Sequence, residues 1–160
     1  MDRLWAPWRS AYITKCVSSK KGVKCIFCVG RSAKNDKRRY ILTRSRHAFS
    51  ILNTFPYNNG HVMVAPYRHI RDFERLSQDE ILDMMRLLEE AKTDLDRHLK
   101  PHGYNIGMNL GRASGAGFDG HIHMHIVPRW VGDTNFMSIV ADARIISRSL
   151  DEMHRLLKKA

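Results

Sequence analysis

Three histidines at alternate positions, His121, His123 and His125, are the residues of this chain best placed to act together. Imidazoles in such a row have two chemical uses. They can ligate a transition metal, or they can supply a nucleophile and hydrogen-bond donors to an anion. The spacing alone is compatible with both. Cys25 and Cys28 form a lone Cys-x-x-Cys, which reads as half a zinc site or a redox pair. A third cysteine, Cys16, has no partner in view, so a disulfide framework is not expected. The stretch Gly111 to Gly120 holds four glycines in ten residues and runs straight into the histidine row, a composition that lets backbone approach a ligand closely. His47, His98, His102 and His154 stand outside any such pattern and read as ordinary structural histidines.

The row must be held by a strand. Ile122, Met124 and Ile126 alternate with the histidines, and period-two alternation sends successive side chains to opposite faces. At about 3.3 Å per residue, every second side chain is roughly 6.6 Å apart. A helix would turn each imidazole about 200° from the last. Further strands are expected over Tyr40 to Thr43, Ala48 to Asn53, His61 to Pro66 and Tyr104 to Leu110, the second and third separated by the turn Phe55 to Gly60. Ser77 and Glu80 form a capping box. Behind it Ile81, Met84, Met85, Leu88, Ala91 and Leu95 recur at helical spacing for about five turns, ending before Pro101. Met84 and Met85 read as core fillers, and Glu89, Glu90 and Asp94 as the solvated face. A second helical pattern runs from about Asp142 to Lys158, with Ile145, Ile146, Leu150, Met153, Leu156 and Leu157 on its apolar side. Residues 15 to 39 read as loop apart from the cysteine turn.

With 160 residues and 43% apolar composition the chain can bury a real core as one domain. No stretch nears the ~20 apolar residues of a membrane span. Asp2, Arg3, Arg9 and Lys15 interrupt any signal-peptide core, so a cytoplasmic protein is expected. The formal charge of +11 favours anionic partners such as phosphates or nucleotides. Nucleic acid is not the expected partner, because the basic runs Lys20-Lys21-Lys24 and Lys34-Lys37-Arg38-Arg39 carry no recognition motif and read as a solvated loop. Trp5, Trp8 and Tyr12 imply that the first residues pack on the body or on a partner subunit.

Gly60-His61-Val62-Met63-Val64-Ala65-Pro66 followed by His69, and then His121-Ile122-His123-Met124-His125-Ile126-Val127-Pro128-Arg129, resembles the histidine triad (HIT) family. With Cys25-Ile26-Phe27-Cys28 and the order of the blocks, the resemblance covers nearly the whole chain. Trp5-Ala6-Pro7-Trp8-Arg9, Asn109-Leu110-Gly111 and Pro128 through Met137 look like the branch containing diadenosine tetraphosphate phosphorylases. The resemblance implies an α+β fold, with a central antiparallel sheet of about five strands, a long helix, a C-terminal helix and a homodimer built around the long helix. It implies one domain over residues 1–160, with an N-terminal arm over 1–39 and the core over 40–160.

It also implies a hydrolase or transferase that cleaves a nucleoside 5′-phosphate anhydride, a dinucleoside polyphosphate above all. His123 would be the nucleophile at the α-phosphorus, with His125 and His61 on the phosphate oxygens. Asn53, Asn109, Gly117, Asp119 and His125 would contact the nucleotide. Cys25, Cys28, His69 and His121 match a Cys₂His₂ zinc set, which with four protein ligands would be structural. The alternatives are a purine nucleoside phosphoramidase and a non-catalytic nucleotide-binding module; the intact His61, His123 and His125 set argues against the latter. Family members carry a serine or glutamine shortly before the triad. Here Gly117-Phe118-Asp119-Gly120 is one residue shorter, leaving a glycine amide or Asp119 to face the leaving group.

Overall fold

Five short strands alternate along the chain with one long helix, and together they make a single antiparallel sheet. The computed structural model describes residues 25–114, 118–133 and 146–158. Strands β1 (Ile41–Arg44), β2 (Ala48–Leu52), β3 (Val62–Pro66), β4 (Gly103–Met108) and β5 (Met124–Arg129) lie in the order β1-β2-β3-β5-β4. Helix α2 (Gln78–Leu99) carries the chain from β3 to the far edge, and β5 returns between β3 and β4. That return sets the histidine segment beside β3, every residue of which is buried.

Strand register decides which side chains share a face. Ile41, Ile51, Met63, His125 and Gly107 align across the sheet on one side, and Leu52, Val62, Ile126 and Ile106 on the other. The second face is covered by α2 and the C-terminal helix α3 (Leu150–Leu157), through Met84, Leu87, Leu88, Ala91, Leu95, Met153 and Leu157. The first packs Phe27, Phe49 and Ala65 into a smaller cluster beside the histidines. The hydrophobic helices therefore lie behind the sheet and leave its other face for chemistry. No described helix is long and apolar enough to cross a membrane.

Both longer helices begin at capping boxes. Ser77 accepts from the Glu80 amide while Glu80 accepts from the Ser77 amide, and Ser149 and Glu152 do the same for α3. The second box places the start of α3 at Leu150, so the helix expected from about Asp142 is shorter, residues 146–149 being non-helical. Residues 142–145, the tryptophan arm, Cys16, Gly117 and 134–137 lie outside the described residues.

Other expectations are also corrected. Asp36–Arg39 forms a short helix, α1, where a loop was expected, because Arg44 from β1 clamps the Asp36 carboxylate in a bidentate ion pair. On α2 the buried stripe is Glu80, Asp83, Met84, Leu87, Leu88, Ala91, Asp94 and Leu95. Asp94 is thus buried and pairs with Arg97, whereas Ile81 and Met85 are exposed together with Leu82.

The largest correction concerns the histidine strand. His121 and His123 precede the β5 ladder, which begins at Met124. The cause is Pro66: it lacks an N–H, so β3 cannot continue the ladder opposite Ile122. Ile122 instead donates its amide to the Ile70 carbonyl at 2.6 Å.

Candidate functional site

Hydrogen-bond partners fix the tautomers of His61, His125 and His123. The Tyr57 amide donates to His61 Nδ1 at 3.1 Å, so that nitrogen is unprotonated. The Asn53 amide group, oriented by a bond from the Phe55 amide to its oxygen, lies 3.3 Å from the same nitrogen. His61 Nε2 must then carry the hydrogen, and it donates to His125 Nδ1 at 2.8 Å. That in turn protonates His125 Nε2, which among the described residues is a buried side-chain polar atom with no hydrogen-bond partner. A buried donor of this kind costs about 1–3 kcal/mol unless something accepts from it. The relay therefore ends in an N–H group that wants an oxygen.

His123 is set the other way. Its Nδ1–H donates to the His121 carbonyl at 2.9 Å, which leaves the basic lone pair on Nε2. Its ring centroid is 4.7 Å from that of His125. A nucleophilic nitrogen and a proton-bearing nitrogen thus stand on neighbouring rings, the arrangement required to attack one atom of an anion while binding another. Burial keeps the rings neutral. It pushes His61 down to about 3 and His125 to about 4, with the neighbouring imidazoles adding to both, and it also lowers His123.

His121 points toward the cysteines. Its Nε2–H donates to the Pro66 carbonyl at 2.9 Å, the same residue that ends the ladder, and this frees Nδ1 for a ligand. Nδ1 lies 3.3 Å from Cys25 Sγ and 4.0 Å from Cys28 Sγ, and His69 Nδ1 lies 3.4 Å from Cys28 Sγ. All four donor atoms fall within 4.8 Å of one another. A tetrahedral zinc with bonds of about 2.0–2.3 Å needs donors roughly 3.3–3.8 Å apart; the Cys25–His121 and Cys28–His69 pairs meet that spacing, and the wider pairs need about 1 Å or less of side-chain closure, so the donor set suits that ion. Burial pushes the Cys25 thiol up to about 11, and a bound cation would hold it as thiolate.

The structure thus brings His61, His123, His125 and Asn53 into one cluster, and Cys25, Cys28, His69 and His121 into another that adjoins it. Asn109 follows the last β4 residue one step beyond the Met108–Met124 pair, on the side from which His123 precedes Met124. Asp119 is exposed on the turn leading to His121. Four contributors were not anticipated. The Tyr57 amide and the Pro66 carbonyl are backbone groups without a residue-type signal, although Pro66 itself marks the end of a ladder. Asn58 donates its amide to the Pro128 carbonyl and Asp133, anchoring the turn that carries Tyr57. Phe27, between the two cysteines, stacks on His123.

The HIT domain profile matches residues 34–131. The AP-4-A phosphorylase of Mycobacterium tuberculosis is 32% identical over 163 residues, covering 98% of this chain and 83% of that one. Adenosine 5′-monophosphoramidase of Schizosaccharomyces pombe is 28% identical over 67% of this chain and 75% of its own. A zinc-bound histidine triad family protein from Mycobacterium smegmatis has the same fold, with a TM-score of 0.65, 24% identity, and coverage of 84% of this chain and 91% of that one.

Proposed function

Because the chain belongs to the HIT domain family, we propose that it cleaves a dinucleoside polyphosphate at the α-phosphate through a nucleotidyl-His123 intermediate. The observation that carries this reading is the opposed protonation of His123 and His125. His123 Nε2 attacks the α-phosphorus, and the bond to the bridging oxygen breaks, releasing the remaining nucleotide with that oxygen's electron pair. The Nδ1–H bond to the His121 carbonyl steadies the positive charge that develops on the ring. His125 Nε2–H, backed by His61, donates to the non-bridging oxygen on which negative charge gathers. Water, losing its proton to solvent, or inorganic phosphate then attacks the nucleotidyl group, and the phosphorus–nitrogen electrons return to Nε2. Asn53 would bond the ribose, with Asn109, Gly117 and Asp119 along the rest of the nucleotide.

Cys25, Cys28, His69 and His121 would hold a structural zinc, which would keep the two cysteines as thiolates and tie the residues before β1 to the start of the catalytic segment. Thiols kept reduced for a metal suit a cytoplasmic protein. We further read residues 1–160 as one HIT domain, arm over 1–39 and core over 40–160, assembled as a homodimer. The exposed Ile81, Leu82 and Met85 of α2, and Ile106 on the edge strand β4, support an apolar partner surface.

The test is incubation with diadenosine tetraphosphate, with and without inorganic phosphate, followed by product separation. AMP with ATP identifies water as the acceptor; ADP with ATP, formed only with phosphate, identifies phosphorolysis. Absence of both from wild type, or wild-type turnover by His123→Ala, overturns the reading.

A further inference from the structure

Phe27 occupies an unusual position for an apolar residue. It lies between two candidate metal ligands in sequence, yet its side chain is 1% exposed and faces the histidines rather than the helical core. Its ring stacks on His123 with centroids 4.5 Å apart and planes 26° from parallel. The same ring meets His121 at 5.4 Å and Phe118 at 6.4 Å, the latter edge-on. Its backbone is held in the cysteine turn, where the Cys28 amide donates to the Cys25 carbonyl and the Val29 amide to the Phe27 carbonyl.

His123 needs such a neighbour. The hydrogen bond from Nδ1 to the His121 carbonyl restrains rotation about the Cβ–Cγ bond, but one bond of about 1 kcal/mol across a torsion with broad wells still lets the ring rock. Rotation swings Nε2 out of line with the phosphorus. A flat ring packed against the imidazole face blocks that swing without competing for the lone pair or adding charge. His61 and His125 are served by a different aromatic, Tyr57, whose ring lies 4.7 Å and 6.0 Å from theirs.

We propose that Phe27 is a positioning residue that holds the His123 ring in its attacking orientation and makes the cysteine turn and the nucleophile one rigid unit. This rests on the assignment of His123 as nucleophile. Substrate binding falls to other groups, so loss of Phe27 acts on kcat rather than KM.

The experiment compares wild type with Phe27→Leu and Phe27→Met. Both fill the space without a flat face, and methionine adapts where leucine does not. Melting curves select the folded variants. Each is assayed for kcat and KM on diadenosine tetraphosphate, and its imidazole N–H signals are recorded by NMR at one fixed pH. The expected result is a kcat lowered about 10-fold or more by misorientation, with KM within about twofold. The buried His123 Nδ1–H signal should broaden or vanish while the His61 Nε2–H signal persists. A merely structural residue would disturb both signals alike. A folded variant with near-wild-type kcat and an unchanged His123 signal, or a change confined to KM, overturns the proposal. His123→Ala separates the two levels. If it is inactive and the Phe27 variants are normal, positioning alone fails; if it is active, the nucleophile assignment fails and positioning with it.

Discussion

Acidification from pH 7 to pH 5 should destabilise this protein through the two relay histidines. In the unfolded chain each imidazole takes up a proton as pH falls through about 6.5. In the folded protein burial holds His61 near 3 and His125 near 4, so neither is protonated at pH 5. The sign follows directly: the unfolded state binds more protons, so stability falls as pH falls below 6.5 and levels off only beneath the native values. Each pH unit in that window is about 1.36 kcal/mol per group, and 1.5 units therefore remove about 2 kcal/mol per histidine, about 4 for the pair. The magnitude requires only that the native values lie below 5. Because the neighbouring rings adjoin the cysteine cluster, the test is made as a difference. His61→Asn removes one titrating ring while its Oδ1 can still accept from the Tyr57 amide. Urea unfolding at pH 7, 6 and 5 should show the wild type losing about 2 kcal/mol more than the variant over that range, whatever their offset at pH 7. Parallel pH dependences for the two proteins would refute the neutral, buried relay.

Three further outcomes are expected. Gly60 has φ +73°, and an added Cβ would lie 2.6 Å from Leu99 Cδ1 and 2.8 Å from Leu95 Cδ2. Gly60→Ala should therefore cost about 2–4 kcal/mol in chemical denaturation, from left-handed backbone and overpacking together; a loss under about 0.5 kcal/mol contradicts this. Arg68, with the Ser77 amide, holds the Glu80 carboxylate down to about 2, so its stabilisation is complete above pH 4.5 and lost as pH falls from there toward 2. Because Arg68 is well exposed, about 1 kcal/mol is expected. Glu80→Gln should lack that loss in thermal melts between pH 5 and 2.5, and an identical loss in both proteins speaks against the pair. Purified protein should contain one zinc per chain, and Cys25→Ser close to none, melting about 5 °C or more lower; wild type without zinc ends the metal assignment.

Much of the site was legible because its chemistry is written in spacing. The alternation of His121, His123 and His125 with Ile122, Met124 and Ile126 predicts which side chains share a face; the register agrees from Met124 onward, with His125 opposite Met63 and Ile126 opposite Val62, while His121 and His123 precede the ladder. The Ser77–Glu80 box marked the start of α2 for the same local reason; Ser149 and Glu152 carried an equal signal for α3. Long-range partners were not legible. Helix α1 is anchored by the Arg44–Asp36 pair, and no periodicity announces it. Asp94 lies on the buried stripe because Arg97 offsets its charge, and residue type alone sends it to solvent. The protonation relay was the least accessible part. It depends on the Tyr57 amide and the carbonyls of Pro66 and His121, groups every such residue possesses and only the fold aims.

The central claim is that His123 carries the nucleotide while His125 and His61 hold the phosphate. Rapid acid-free quenching of enzyme mixed with diadenosine tetraphosphate, followed by peptide mass mapping, tests it directly. The expected result is an adenylyl group on His123, labile to acid and absent from His123→Ala. An adenylyl group on any other residue, or continued turnover by His123→Ala, would contradict the account.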